Sequence, residues 1–147
     1  MSADLRQWVR QRAGSRCEYC RFPDAAPHLM RFHLEHIRAR RHDGTEAVSN
    51  LAWACARCNV LKGTDLSGVD PDSNRIVRLF HPRRDQWPEH FHWIQNGEII
   101  EGRTPIGRAT VIALGLNRPL LVAARREWVG VGWHPPNVQR RVRRRPR

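Results

Sequence analysis

No stretch of this 147-residue chain is apolar for long enough to cross a membrane. A spanning helix needs about 20 consecutive apolar residues, and the arginine-rich segments of the chain have no strong amphipathic pattern. Residues 1–16 also lack the uninterrupted apolar stretch of a secretory signal. We therefore expect no membrane association and a cytoplasmic protein.

Lysine is nearly missing: Lys62 is the only one, so arginine supplies the rest of the 26 basic residues. Against 14 acidic residues they give a formal net charge of +12. This excess favours a polyanionic partner, because cations bound along a phosphate backbone release condensed counterions. Arginine suits bidentate phosphate contact, although a genomic preference for arginine codons explains its abundance equally well. Nucleic acid is the first candidate partner.

The first half of the chain predicts a helix and a strand pair. Residues 3–13 carry apolar side chains at helical spacing, with Trp8 and Val9 on the same stripe. Leu29–Ile37 alternates between apolar and polar residues in the manner of a strand. Asn50–Ala54 follows a polar loop and is short enough to pair with it. The leading helix should therefore be followed by a hairpin.

The second half predicts a further hairpin and more helices. Asn59–Lys62 is expected to form a short helix that ends at Gly63. Residues 91–100 contain Asn-Gly between two apolar runs, a pattern typical of a hairpin turn. Helices are expected to start near Thr104 and Asn117, since each is followed by a proline in the first helical turn.

The composition changes in residues 65–74, which are rich in turn-forming residues, and we place the boundary of the core there. The mixture of elements predicts an α+β fold in one compact unit. The predicted division is an N-terminal helix (1–16), a core (17–63), an extension packed on that core (64–133) and a basic, mobile tail (134–147).

All four cysteines occur in Cys-x-x-Cys pairs, Cys17 with Cys20 and Cys55 with Cys58. Two such pairs supply the four thiolates of a tetrahedral structural zinc. Disulfide or redox chemistry would need an oxidising compartment or a thioredoxin-like context, and the chain shows neither. The sequence therefore predicts a zinc ion that joins the two ends of the intervening hairpin.

Polar residues of a distinctive kind lie between and just after the cysteine pairs. Glu35-His36 lies near the end of the first predicted strand, Asn50 begins the second, and Asn59 follows the last cysteine. This succession resembles the HNH endonuclease motif, also called the ββα-metal fold, in the variety flanked by two zinc-binding Cys-x-x-Cys pairs. The resemblance covers residues 17–63 and implies a ββα-metal core, with the predicted C-terminal hairpin and helices as an extension.

The resemblance implies a role for each matching residue. His36 would be the general base that activates water, and Asn50 would fix the loop and orient the His36 ring. Glu35 and Asn59 would hold a divalent ion, and their hard oxygen ligands favour Mg²⁺ or Mn²⁺. Hydrolysis of a phosphodiester needs such a base and a cation for the charge that develops at phosphorus.

Several neighbouring residues are candidates for supporting roles. His33 shares a strand face with Glu35 and is either a further metal ligand or phosphate contact, or a surface or packing residue. Arg38, Arg40 and Arg41 follow the predicted strand that contains Glu35 and His36, and we expect them to contact the nucleic-acid backbone. Lys62 is expected either to meet a phosphate or to cap its own helix.

These residues together predict a metal-dependent DNA endonuclease, acting as a monomer or a weak homodimer. The alternative is a non-catalytic zinc module that binds DNA or RNA through the same basic surface. A zinc domain for protein interaction is a third possibility, but it leaves the positive charge unexplained. Nicking of supercoiled plasmid distinguishes the first class from the other two.

Overall fold

The computed structural model describes residues 1–25 and 30–136. In this part of the chain, helices alternate with three separate two-stranded antiparallel sheets, so the fold is α+β, as predicted. None of the described helices combines the length and apolarity needed to cross a bilayer. The elements are α1 (Ala3–Arg12), β1 (Phe32–His36), β2 (Leu51–Cys55), α2 (Ala56–Lys62), β3 (Ser67–Val69), β4 (Ile76–Arg78), α3 (Trp87–His90), β5 (Phe91–Ile94), β6 (Ile99–Gly102), α4 (Pro105–Ala113) and α5 (Pro119–Gly130).

Helix α1 confirms the predicted leading helix. It begins after Ser2, whose side chain accepts a hydrogen bond from the Leu5 amide (3.2 Å) and so caps the first turn. Val9 is fully buried in the core, but Trp8 is 48% exposed and lies under the Arg12 guanidinium instead. The core therefore buries Val9 but leaves Trp8, on the same predicted stripe, at the surface.

Strands β1 and β2 form the hairpin that the sequence predicts. They pair antiparallel, with Phe32 opposite Cys55 and His36 opposite Leu51. Every residue of β2 is buried, because α1 covers it on one side and α2 packs against its end. Helix α2 begins three residues before the predicted Asn59 and ends at Gly63, whose φ of 51° is a conformation that glycine adopts easily.

The hairpin of β3 and β4 occupies a stretch that the sequence marks mainly as turn-rich. Gly68 lies in the middle of β3, where α4 approaches closely. A Cβ atom at Gly68 would lie 3.2 Å from Leu79 Cδ2 and 3.6 Å from Ala113 Cβ. The glycine therefore allows the helix to pack directly on the strand.

Strands β5 and β6 pair antiparallel around Gln95–Gly97, whose three residues all have positive φ. Helix α4 is capped by Thr104, whose hydroxyl accepts from the Gly107 amide (3.0 Å). Asn117 has a different role from the expected cap of α5. Its side chain accepts from the Ile100 amide and donates to the Ile100 carbonyl (both 2.8 Å), which ties α5 to β6.

The extension packs directly on the first cysteine knuckle, Cys17–Cys20. The Trp87 indole donates to the Tyr19 carbonyl (2.9 Å), and the Arg83 guanidinium forms an ion pair with Glu18. The Phe80 ring meets the Tyr19 ring edge-on, with centroids 6.4 Å apart. A single buried cluster therefore runs from the knuckle into the extension.

The expected tail does not begin at residue 134. His134 is 5% exposed, its Nε2 donates to the Gly97 carbonyl (2.8 Å), and its ring meets Trp93 edge-on. Burial lowers the pKa of His134 to about 4, so the ring is neutral near pH 7. The rest of the predicted tail, residues 137–147, and Leu29 at the start of the predicted strand lie outside the described residues.

Candidate active site

The four cysteines come together in the geometry of a zinc site. All four are buried, none forms a disulfide, and their Sγ atoms lie within 4.8 Å of one another. Cys20 Sγ and Cys55 Sγ are 3.7 Å apart. A tetrahedral zinc with bonds of about 2.3 Å would place its sulfur ligands about 3.8 Å apart. The residues therefore fit a structural zinc.

The surroundings of the knuckles also suit a zinc with four thiolates. Such a site carries a net charge of −2, which is costly to bury without nearby cations. Arg125 is buried and Arg21 is partly buried. Desolvation lowers the pKa of both guanidinium groups, and the charge of the nearby cysteines opposes this lowering. Desolvation still lowers the pKa of Arg21 to about 10. Two guanidinium groups therefore flank the cluster and offset its charge.

His36 lies at the last position of β1, where the strand meets the loop. Its Nε2 is 2.7 Å from Glu46 Oε1. Hydrogen bonds from His36 and from Arg40 lower the pKa of Glu46, so this carboxylate is ionised and only accepts. Nε2 therefore carries a proton, and in the neutral ring Nδ1 is the nitrogen that accepts one. Glu46 is a site residue that the sequence analysis did not identify.

Asn50 fastens the loop but does not orient the His36 ring as expected. Its Oδ1 accepts from the Arg38 amide (2.9 Å), and its Nδ2 donates to the carbonyls of Arg38 (3.0 Å) and Thr45 (2.8 Å). All of its side-chain hydrogen bonds go to the backbone of the loop. The ring is held by Glu46 instead.

A residue outside the motif holds the other end of this loop. Arg12, in the last turn of α1, donates to the carbonyls of Val48 (2.8 Å) and Leu51 (2.5 Å). These two residues lie on either side of Asn50. The guanidinium therefore fixes the backbone on which the Asn50 side chain depends.

Glu35 occupies a different environment from that of a metal ligand. Its side chain is 2% exposed, with Oε1 2.6 Å from Lys62 Nζ and Oε2 accepting from the Tyr19 hydroxyl (2.7 Å). A cation already lies beside the carboxylate, so Glu35 does not fit a divalent ion in this arrangement. Among the described residues, only the four cysteines bring three or more ligand atoms from His, Cys, Asp or Glu close enough together to hold a metal ion.

Lys62 is equally buried, which corrects both expectations for it. Its ammonium donates to the carbonyls of Ile37 (2.7 Å) and His36 (3.4 Å) as well as pairing with Glu35. It neither reaches solvent to meet a phosphate nor caps its own helix. Instead it ties α2 to the end of β1, directly behind His36.

The remaining predicted residues are distributed around the loop. His33 is half-buried opposite Ala54, and Asn59 is half-buried in α2. The three expected phosphate contacts, Arg38, Arg40 and Arg41, are all exposed. Arg40 is paired with Glu46, whereas Arg38 donates to the carbonyl of His42.

The fold is an α+β domain with a buried four-cysteine cluster that fits a zinc ion and a histidine at the end of a short hairpin. Residues 17–65 match the family model described as HNH endonuclease. The match covers the segment that carries the motif, and this segment is similar to HNH endonuclease domains, as the motif predicts. Comparison with curated proteins and with solved structures gave no match.

Proposed function

We propose that the protein is a metal-dependent endonuclease that hydrolyses phosphodiester bonds of DNA, with His36 as the general base. The observation that carries the proposal is the position of His36 inside the matched HNH segment, with one ring nitrogen bound by Glu46 and the other left to accept a proton. Duplex DNA as substrate, cytoplasmic residence and a monomer or weak homodimer stay predictions from the sequence.

The chemistry follows from the tautomer of His36. Because Nε2–H donates to the Glu46 carboxylate, the lone pair of Nδ1 is the site that takes the proton from an attacking water. The imidazolium formed in this step would be stabilised by the same carboxylate. Asn50 and Arg12 hold the loop that carries Glu46, so the partner of the base is positioned from both sides.

A divalent ion, Mg²⁺ or Mn²⁺, remains part of the proposal, and it would supply charge neutralisation at the phosphate. Of the two predicted ligands, Glu35 and Asn59, this proposal retains Asn59 as a ligand of the divalent ion. Glu35 reaches such an ion only if the Glu35–Lys62 ion pair opens. In this proposal Glu35 has a supporting role, in which its ion pair holds Lys62 behind the strand that ends at His36.

Incubation of supercoiled plasmid with the zinc-loaded protein tests the proposal. We expect nicking in Mg²⁺ or Mn²⁺, and a loss of roughly 10²–10⁴-fold in rate for His36→Ala. The matched control is His92→Ala, since His92 is also a surface histidine beside a glutamate but lies on the β5–β6 hairpin. Equal nicking by both variants would remove His36 from the role of base.

One observation favours a second function. The predicted acidic ligand, Glu35, is engaged by Lys62, which suits a domain that binds nucleic acid without cutting it. Such a module would retard DNA in a gel without nicking it under any metal condition. The plasmid assay therefore distinguishes the two functions.

A further inference from the structure

A groove lies between the loop that carries the candidate active site and a turn of the extension. It has a volume of about 550 Å³. The loop contributes Arg38 and Asn50 to its lining, and the turn contributes His81, Arg83 and Arg84. The turn is outside the matched HNH segment, so the groove is formed jointly by the domain and its extension.

The charges in this groove are unbalanced. Within the described chain, neither Arg38 nor Arg84 has a carboxylate within 4.0 Å, whereas Arg83 is paired with Glu18 of the first knuckle. Asp43 is the only acidic residue among the described residues that line the groove. Two exposed arginines, Arg38 and Arg84, thus line one cleft with little neutralising charge.

His81 adds a hydrogen-bond donor of fixed direction. Its Nδ1 accepts from the amides of Arg83 (3.2 Å) and Arg84 (3.3 Å), so the proton of the neutral ring is on Nε2. Burial, followed by the charge of Arg84, lowers the pKa of His81 and keeps the ring neutral. The neutral ring therefore presents an N–H group rather than an acceptor.

The turn is held rigidly against the zinc-binding part of the fold. Asp85 Oδ2 accepts from the His81 amide (2.8 Å) and pairs with Arg78 (2.6 Å), which closes the turn. The Trp87 indole, just beyond the turn, donates to the Tyr19 carbonyl. The wall formed by the turn therefore keeps its position relative to the loop.

We propose that this groove binds the sugar–phosphate backbone of DNA next to the active site, with Arg84 and the His81 Nε2–H as phosphate contacts from the extension. The proposal rests on the proposed function, because it names how the same site holds its substrate. A guanidinium forms strong charge-assisted hydrogen bonds to phosphate oxygens, and an imidazole N–H adds one of known direction. Contacts of this kind favour binding without sequence preference.

Salt-dependent binding to a fluorescent DNA duplex tests the groove. The zinc-loaded 147-residue chain with His36→Ala is used as the background, so that cleavage does not interfere. We expect Arg84→Ala to weaken binding by roughly tenfold and to reduce the slope of log affinity against log salt by about one. Arg84→Glu should weaken binding further. The control is Arg75→Ala, an exposed arginine on the β3–β4 hairpin outside the groove, which should leave the slope unchanged.

The outcomes separate the groove from the catalytic proposal. If Arg84→Ala and Arg84→Glu bind like Arg75→Ala, the groove is not the binding site, whether or not the wild-type protein nicks plasmid. If the Arg84 variants bind weakly but the wild-type protein never nicks, the catalytic proposal fails and the groove stands. A wild-type protein that does not bind duplex DNA at all overturns both.

Discussion

Replacing Lys62 with methionine tests the central contact behind the candidate active site. Both side chains of the Glu35–Lys62 pair are 2% exposed, so Lys62→Met would leave a buried carboxylate without its cation. Removing one partner of a buried ion pair typically costs about 3–5 kcal/mol of folding free energy. For a chain of this length, the loss corresponds to a fall of roughly 10 °C in melting temperature.

The double variant Lys62→Met/Glu35→Gln provides the matched control. Glutamine is neutral, and its side-chain oxygen still accepts from the Tyr19 hydroxyl, so no uncompensated charge remains. We expect the double variant to recover most of the stability that the single variant loses. Urea unfolding of the zinc-loaded proteins measures both, provided that the dependence of free energy on urea stays the same.

The pH dependence of the single variant gives a second measure. Burial raises the pKa of Glu35, while the charge of Lys62 and hydrogen bonds from Lys62 and Tyr19 oppose that rise. Without Lys62 the pKa rises further. A carboxyl whose pKa is raised by folding stabilises the protein when protonated, and this contribution is lost as pH rises through the folded pKa.

The loss of folding free energy caused by Lys62→Met should therefore be smaller at pH 6 than at pH 8. It should change by at most about 1.4 kcal/mol per pH unit. The double variant should show no such trend. A neutral effect of Lys62→Met at every pH would refute the reasoning. It would mean that the pair is open in solution and that Glu35 is free to bind a metal ion.

Two further predictions concern the zinc and the partner of the base. Cys58→Ser should abolish stoichiometric zinc binding and cooperative thermal unfolding. The control is Ala54→Ser, which places a hydroxyl at a buried position of the neighbouring strand and should keep the zinc. Retention of metal by the Cys58→Ser variant would contradict the four-thiolate site. Glu46→Ala should lower kcat for nicking by roughly tenfold, well short of losing the base itself, because His36 loses the acceptor that fixes its tautomer. Glu46→Gln should restore most of this rate, since its oxygen still accepts; identical rates for all three proteins would exclude the contact from catalysis.

The zinc site was accessible to sequence reasoning because its signal is local. Two Cys-x-x-Cys pairs have few structural solutions, and the apolar pattern of the residues between them predicts the β1–β2 pairing, which places Phe32 opposite Cys55. The same pattern places His36 at the end of a strand. Local spacing and periodicity were therefore enough to predict the four-cysteine cluster and the position of His36 at the end of β1.

The contacts that position the side chains of the site could not be predicted from local spacing and periodicity. The partners Glu35 and Lys62 are 27 residues apart, and no periodicity relates a strand residue to the last turn of a later helix. Their pairing follows from the crossing of α2 over β1, which is a tertiary feature. Glu46 lies in a loop without periodic pattern, so its approach to His36 depends on the backbone that Asn50 and Arg12 hold.

These tertiary contacts show that the HNH segment depends on the rest of the chain. Arg12 precedes the segment and fixes the backbone on both sides of Asn50, while Trp87 follows it and binds the carbonyl of Tyr19. The Tyr19 hydroxyl in turn donates to Glu35, which holds Lys62 behind His36. A continuous series of buried contacts therefore runs from the extension through the zinc knuckle to the proposed base. Because buried hydrogen-bonded groups are costly to leave unpaired, changes in the extension should alter the position of His36 without touching it.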